Sequence, residues 1–170
     1  MSAPAALPGT PLRRRLILAG LGLWLAVQIL VPLRHHLYPG DTSWTEQGHR
    51  FAWQMKLRDK DSRAQFSVLD PATGRAWKID NSDFLTPRQE RKMASRPDMI
   101  LQYAHFLADR WRKVEGIAEP DVRALVLASL NGRPPALLID PTRNLANEPR
   151  SLLTADWILP LLEPLPAARR

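Results

Sequence analysis

No cysteine occurs anywhere in the 170-residue chain. That excludes a disulfide framework, thiolate metal ligation, a cysteine nucleophile and an iron–sulfur cluster. Residues 1–36 also contain no Asp or Glu, although they carry Arg13, Arg14, Arg15 and Arg34. The local signatures of chemistry are missing as well. There is no phosphate-cradling glycine loop, no His-x-x-x-His and no Gly-x-Ser-x-Gly. The adjacent His35 and His36 would point to opposite sides of a strand, or roughly 100° apart on a helix, which makes them a poor bidentate ligand. We read them as polar residues at an interface and assign no catalytic, cofactor-binding or metal-binding residue. No cofactor is expected.

A long block of one charge sign is also lacking. The net charge is +7, but the four arginines at the start leave 20 basic against 17 acidic residues in the remainder, a balance of +3. Those charges alternate in sign. A nucleic-acid groove needs a clustered basic face with interleaved aromatics, so no nucleic-acid partner is expected.

What the sequence does have is one long apolar run. Leu16 to Leu33 holds no ionised side chain in 18 residues, and its only amide is Gln28. As a helix it would reach ~27 Å, close to the ~30 Å of a bilayer core. Three readings compete. A cleavable signal peptide has a shorter apolar stretch, usually ~7–15 residues, ending in a small-x-small site. Here Ile29-Leu30-Val31-Pro32-Leu33-Arg34 offers no such site. A buried core helix is the second, but this run is apolar on every side. We adopt the third, an uncleaved anchor in the lipid bilayer. Three arginines before it and only Arg34 after it place the N-terminus inside by the positive-inside rule. In a bacterial cell this is the inner membrane, with the rest of the chain periplasmic or extracytoplasmic.

The domain plan follows. Residues 1–12 form a small, Pro-rich cytoplasmic tail expected to be disordered, 13–36 the anchor and its flanks, 37–165 one domain, and 166–170 a tail. Thr42 or Ser43 starts a short helix, after which Trp44, Phe51 and Trp53 fall close together. Trp44 and Trp53 are the candidate interface; the competing reading makes them core or a seal beneath the domain. Arg50 to Asp61 can run extended. Arg63–Leu69 and Arg75–Ile79, joined through Asp70-Pro71-Ala72-Thr73-Gly74, predict a β-hairpin. Thr86-Pro87 opens a short helix to about Ala94. Pro97-Asp98 opens a longer one, with Met99, Ile100, Tyr103, Phe106, Leu107 and Trp111 as its stripe and Gly116 as its stop. His105 and Asp109 suggest a solvated pair. Val122–Leu130 reads as a strand buried on both faces, and Asn131-Gly132 turns it toward Ala136–Ile139. Leu152, Leu153, Trp157, Ile158 and Leu161 suggest a last helix. The fold class is α+β: one N-terminal transmembrane helix, then a small sheet of hairpins with helices on one face.

The segment Val31–Lys56 resembles the start of the lumenal domain of vitamin K-dependent γ-carboxylases, whose bacterial relatives carry the HTTM domain. The residues that carry the likeness are Pro32, Trp44-Thr45, and Trp53 with Met55. It continues through Asp70–Gly74, Pro97-Asp98-Met99 with Gln102-Tyr103-Ala104, Ser129-Leu130-Asn131 and Ile139-Asp140-Pro141, covering roughly residues 30–142. In that family a multi-helix membrane domain binds vitamin K hydroquinone and abstracts a proton from a substrate Glu. No position here matches those catalytic residues, so no catalytic role is transferred. The resemblance implies the fold of the extramembrane domain, its trans-side location and a docking role. A vitamin K-type quinol would enter only through a membrane-protein partner. The chain is then a non-catalytic subunit, the substrate-gripping part of a split enzyme, or an independent periplasmic binding module.

Overall fold

The computed structural model describes residues 11–53, 59–151 and 153–161. Most of both expected tails, Met55, Leu152 and part of the expected extended run Arg50–Asp61 lie outside the described residues.

Helix α1 spans Pro11–Leu33 and continues into a 3-10 turn at Arg34–Leu37. Proline at position 32 has no N–H to donate to the Gln28 carbonyl, and the helix ends one residue later. It is one helix, among the described residues, long and apolar enough to cross a membrane, and only 6% of its apolar window is buried. The run is therefore not buried by the described part of this chain, against the buried-core reading. A short helix α2, Thr42–Thr45, follows, capped by the Asp41 side chain accepting from the Ser43 N–H.

The domain is a four-stranded antiparallel sheet of order β2-β1-β3-β4, with β1 at Lys60–Leu69, β2 at Ala76–Lys78, β3 at Asp121–Leu130 and β4 at Ala136–Leu137. The central pair runs in register from Lys60 opposite Leu130 to Leu69 opposite Asp121. Phe66 and Val68 of β1, and Val122, Ala124, Val126, Ala128 and Leu130 of β3, point to one face and are buried. Helices α3 (Pro87–Ala94) and α4 (Pro97–Val114) contribute Met93, Ile100, Tyr103, Ala104 and Leu107 to the same core. The α+β expectation holds.

Local chemistry explains the helix starts. Thr86 and Gln89 form a reciprocal capping box, with the Gln89 N–H donating to Thr86 Oγ1 at 3.4 Å and the Thr86 N–H to Gln89 Oε1 at 2.9 Å. Gly116 takes φ +71°, just past the end of α4.

Several expectations are corrected. β3 is buried on one face only, because Arg123, Leu125 and Leu127 alternate outward onto a sheet face left exposed among the described residues. β1 begins at Lys60, and at the described start of the expected extended run the chain turns at Arg50 and Phe51. His105 does not pair with Asp109: its Nε2–H donates to the Glu148 carbonyl at 2.9 Å, while Asp109 accepts from Arg112 at 2.8 Å. No helix forms among residues 153–161. Instead Ile158 bridges Ile139 antiparallel, and the Leu159 N–H donates to the Leu138 carbonyl at 3.0 Å.

Tyr103 supplies a prediction. It packs edge-on against Phe66 with ring centroids 4.9 Å apart, and its buried hydroxyl has no partner among the described residues. Burial, then the charges of Glu90, Asp83 and Asp80, push its pKa up to about 12. The folded value lies above the unfolded ~10, so this contribution is fully present below pH ~10 and is lost as pH rises toward 12, at most about 3 kcal/mol. Tyr103→Phe keeps the ring and removes an unsatisfied group, so it should stabilise by ~1 kcal/mol at neutral pH. The melting-temperature gap between variant and wild type should then widen from pH 9 to pH 12. A constant gap would show that the phenol does not titrate against the fold.

Candidate functional site at the base of the domain

The segment between α1 and β1, the start of α4 and residues 149–151 and 153–158 enclose a cavity of about 470 Å³ at the base of the domain. Four described residues of the first segment take left-handed backbone conformations: Gly40 at φ 82°, Glu46 at φ 58°, Gly48 at φ 68° and Phe51 at φ 63°. Glycine is required at 48, because a Cβ there would lie 2.6 Å from Tyr38 ring carbons and 2.9 Å from His35 Cα. The tight turn brings the end of α1 against the loop. His35 Nδ1–H donates to the Pro32 carbonyl at 2.7 Å, and the Arg34 guanidinium donates to the Arg50 carbonyl at 3.0 Å. Arg50 in turn pairs with Asp98 in the first turn of α4.

Glu46 forms the floor. Its carboxylate is almost fully buried and is faced by His49 at 3.6 Å, Arg96 at 3.9 Å and Lys60 at 4.0 Å. The Lys60 ammonium donates to the Trp44 carbonyl at 2.6 Å and lies 5.4 Å from the centre of the Trp44 ring. The Trp44 indole N–H donates to the Leu159 carbonyl at 2.8 Å. Burying a carboxylate is costly unless it is paired; here three cationic or cation-forming groups surround it. Arg34, Arg50 and Arg150 line the remaining polar wall, and Leu101, Leu153, Trp157 and Ile158 the apolar one. Such a cavity suits an anion joined to an apolar body, and its volume falls within the ~300–1,000 Å³ of small-molecule sites.

The two candidate tryptophans are not brought onto one surface. Trp44 is 1% exposed and belongs to the core, whereas Trp53 is 73% exposed. Arg13, Arg14 and Arg15 are exposed at the start of α1, while Arg34 is half-buried in the base. Residues 46, 49, 60 and 96 converge without any local spacing that would announce them. Among the described residues no group of three His, Asp or Glu side chains could hold a metal ion.

The family profile described as "Vitamin K-dependent gamma-carboxylase, lumenal domain" matches residues 13–164. The chain belongs to this family. The match covers both the apolar helix and the domain, and so includes every residue of the basal cavity. No curated protein and no solved structure matches the chain. As a carboxylase-family lumenal domain, the protein carries its sheet, its two packed helices and its apolar N-terminal helix in one matched stretch.

Proposed function

We propose that the chain is a single-pass membrane protein whose lumenal-type domain sits on the trans side and assembles, as a non-catalytic subunit, with a multi-helix membrane partner. The observation that carries this reading is α1: its apolar side chains face outward all around, so it needs lipid or other helices about it. The family match joins that helix to the domain, and Arg34, donating to the Arg50 carbonyl, ties its end into the base. Arg13, Arg14 and Arg15 at the opposite end support an N-terminus in the cytoplasm, with the domain periplasmic or extracytoplasmic. Bacterial HTTM-domain proteins are the kind of partner the family suggests, and any vitamin K-type quinol would be bound by that partner.

The test is a pull-down of the tagged full-length chain from its native membrane in mild detergent, with every copurifying protein identified. A polytopic partner in near-stoichiometric amount is expected. Recovery of this chain alone, monodisperse, would overturn the reading. A second reading, in which the domain grips a peptide substrate while the partner does the chemistry, is favoured by the basal cavity. It predicts that Glu carboxylation by a reconstituted partner depends on this chain.

A further inference from the structure

We propose that the basal cavity binds the phosphate-bearing headgroup of an anionic phospholipid; this rests on the membrane-anchored reading above. The first argument is position. Arg34, a wall residue of the cavity, directly follows Leu33, the last residue of α1. The site therefore opens where an apolar helix gives way to a polar domain, which in a membrane is the headgroup level.

The second argument is the rim. Leu37, Phe51, Trp53 and Leu153 are 81%, 77%, 73% and 78% exposed. Leu153 lines the cavity, Phe51 directly follows the lining residue Arg50 with Trp53 two positions on, and Leu37 directly precedes the lining residue Tyr38. Large exposed apolar side chains beside a cavity mark an interaction surface, and aromatic residues are enriched at membrane–water interfaces. Phe51 also takes a left-handed backbone conformation, which is rare for a bulky residue.

The third argument is charge. Glu46 is faced by Lys60, Arg96 and His49, and Asp98 is paired with Arg50. That leaves two guanidinium groups with no carboxylate. Arg34 donates only to a neutral carbonyl, and its buried Nε–H has no partner among the described residues. Arg150 makes no ion pair among them. Arginine matches phosphate oxygens in a fork and is the side chain suited to that anion. Leu101, Trp157 and Ile158 continue the cavity as an apolar wall along which the glycerol and the start of an acyl chain can lie. An acidic peptide would satisfy the two arginines, but it gives no role to the exposed apolar rim.

The experiment is native mass spectrometry of the full-length chain in mild non-ionic detergent, titrated with phosphatidylglycerol or with phosphatidylcholine of the same acyl chains. Retention of phosphatidylglycerol should exceed that of phosphatidylcholine several-fold. Arg150→Gln should lower it by about tenfold, the loss of one charge-assisted hydrogen bond. Arg150 is exposed and makes no ion pair among the described residues, so this variant should fold, with a melting temperature like that of the wild type. Arg34→Gln should act in the same direction, and Arg88→Gln on the exposed side of α3 should not. Equal retention of the two lipids, or full retention by Arg150→Gln, would overturn the proposal. So would glycerol 3-phosphate binding as tightly without acyl chains, or displacement of the lipid by a Glu-rich peptide. Carbonate-resistant integration is measured in parallel. Failure to integrate defeats the anchored reading itself, whereas integration without headgroup preference defeats this inference alone.

Discussion

Trp44→Ala should destabilise the domain by about 4 kcal/mol, and Trp53→Ala by less than about 0.5 kcal/mol. The two residues are of one type and nine positions apart, so the contrast comes entirely from where the fold puts them. Trp44 is enclosed. Truncating a buried tryptophan removes its transfer free energy and leaves a cavity, together worth ~3–5 kcal/mol. It also strips the half-buried Leu159 carbonyl of its indole donor at 2.8 Å, and an acceptor left unpaired adds a further cost. The buried Lys60 ammonium loses the ring 5.4 Å away. The total is a large share of the ~5–15 kcal/mol that holds a domain together. Trp53 is mostly exposed and can lose its ring without opening a cavity. Urea unfolding of both variants, in the full-length chain in detergent, checks this. Equal midpoints would mean that Trp44 does not seal the base.

That contrast shows where the sequence was legible and where it was not. Signals confined to a few neighbours read correctly. Thr86, Pro87 and Gln89 carry their whole capping chemistry within four residues. Asp70 to Gly74 likewise closes its turn locally: the Gly74 N–H donates to the Asp70 carbonyl at 2.8 Å, and Thr73 Oγ1 donates to Asp70 Oδ2 at 2.5 Å. That second bond, first among several local ones, holds the Asp70 carboxyl below its usual range. Signals that depend on what lies across the fold misled. Val122–Leu130 is apolar enough for a strand covered on both sides, but helices cover only one face, and Leu125 and Leu127 are left on the other. Trp157 and Ile158 have a spacing that suits a helix, yet pairing with Ile139 satisfies their backbone as an extended segment. The Glu46 cluster is the extreme case. Its members are gathered from a loop, the first residue of β1 and the residue before α4, and only the tertiary fold brings their charges together.

Leu21→Arg combined with Leu25→Arg should release the chain from the membrane while leaving the domain folded. Both side chains are exposed on α1, one turn apart, and neither touches the core cluster. In water the exchange would be harmless or favourable. In a bilayer, arginine near the centre of a span costs ~2.5–3.5 kcal/mol against a small gain for leucine. Two of them disfavour insertion by more than about 5 kcal/mol, which is more than a thousandfold in partitioning. The matched control Leu21→Phe with Leu25→Phe keeps the run apolar and should integrate like the wild type. Alkaline carbonate extraction with flotation measures the partition, and urea unfolding of the released chain measures the domain. The exposed apolar surface of α1 makes release with an unchanged unfolding midpoint the expected result, because a helix with 6% of its apolar window buried contributes little packing to the domain. If the arginine pair stays carbonate-resistant, α1 is held by protein instead of lipid, and the single-pass anchor gives way to a helix seated inside a partner. If the pair is released but the domain unfolds with it, α1 is part of the core after all, and the outward-facing leucines must be covered by a surface of this same chain.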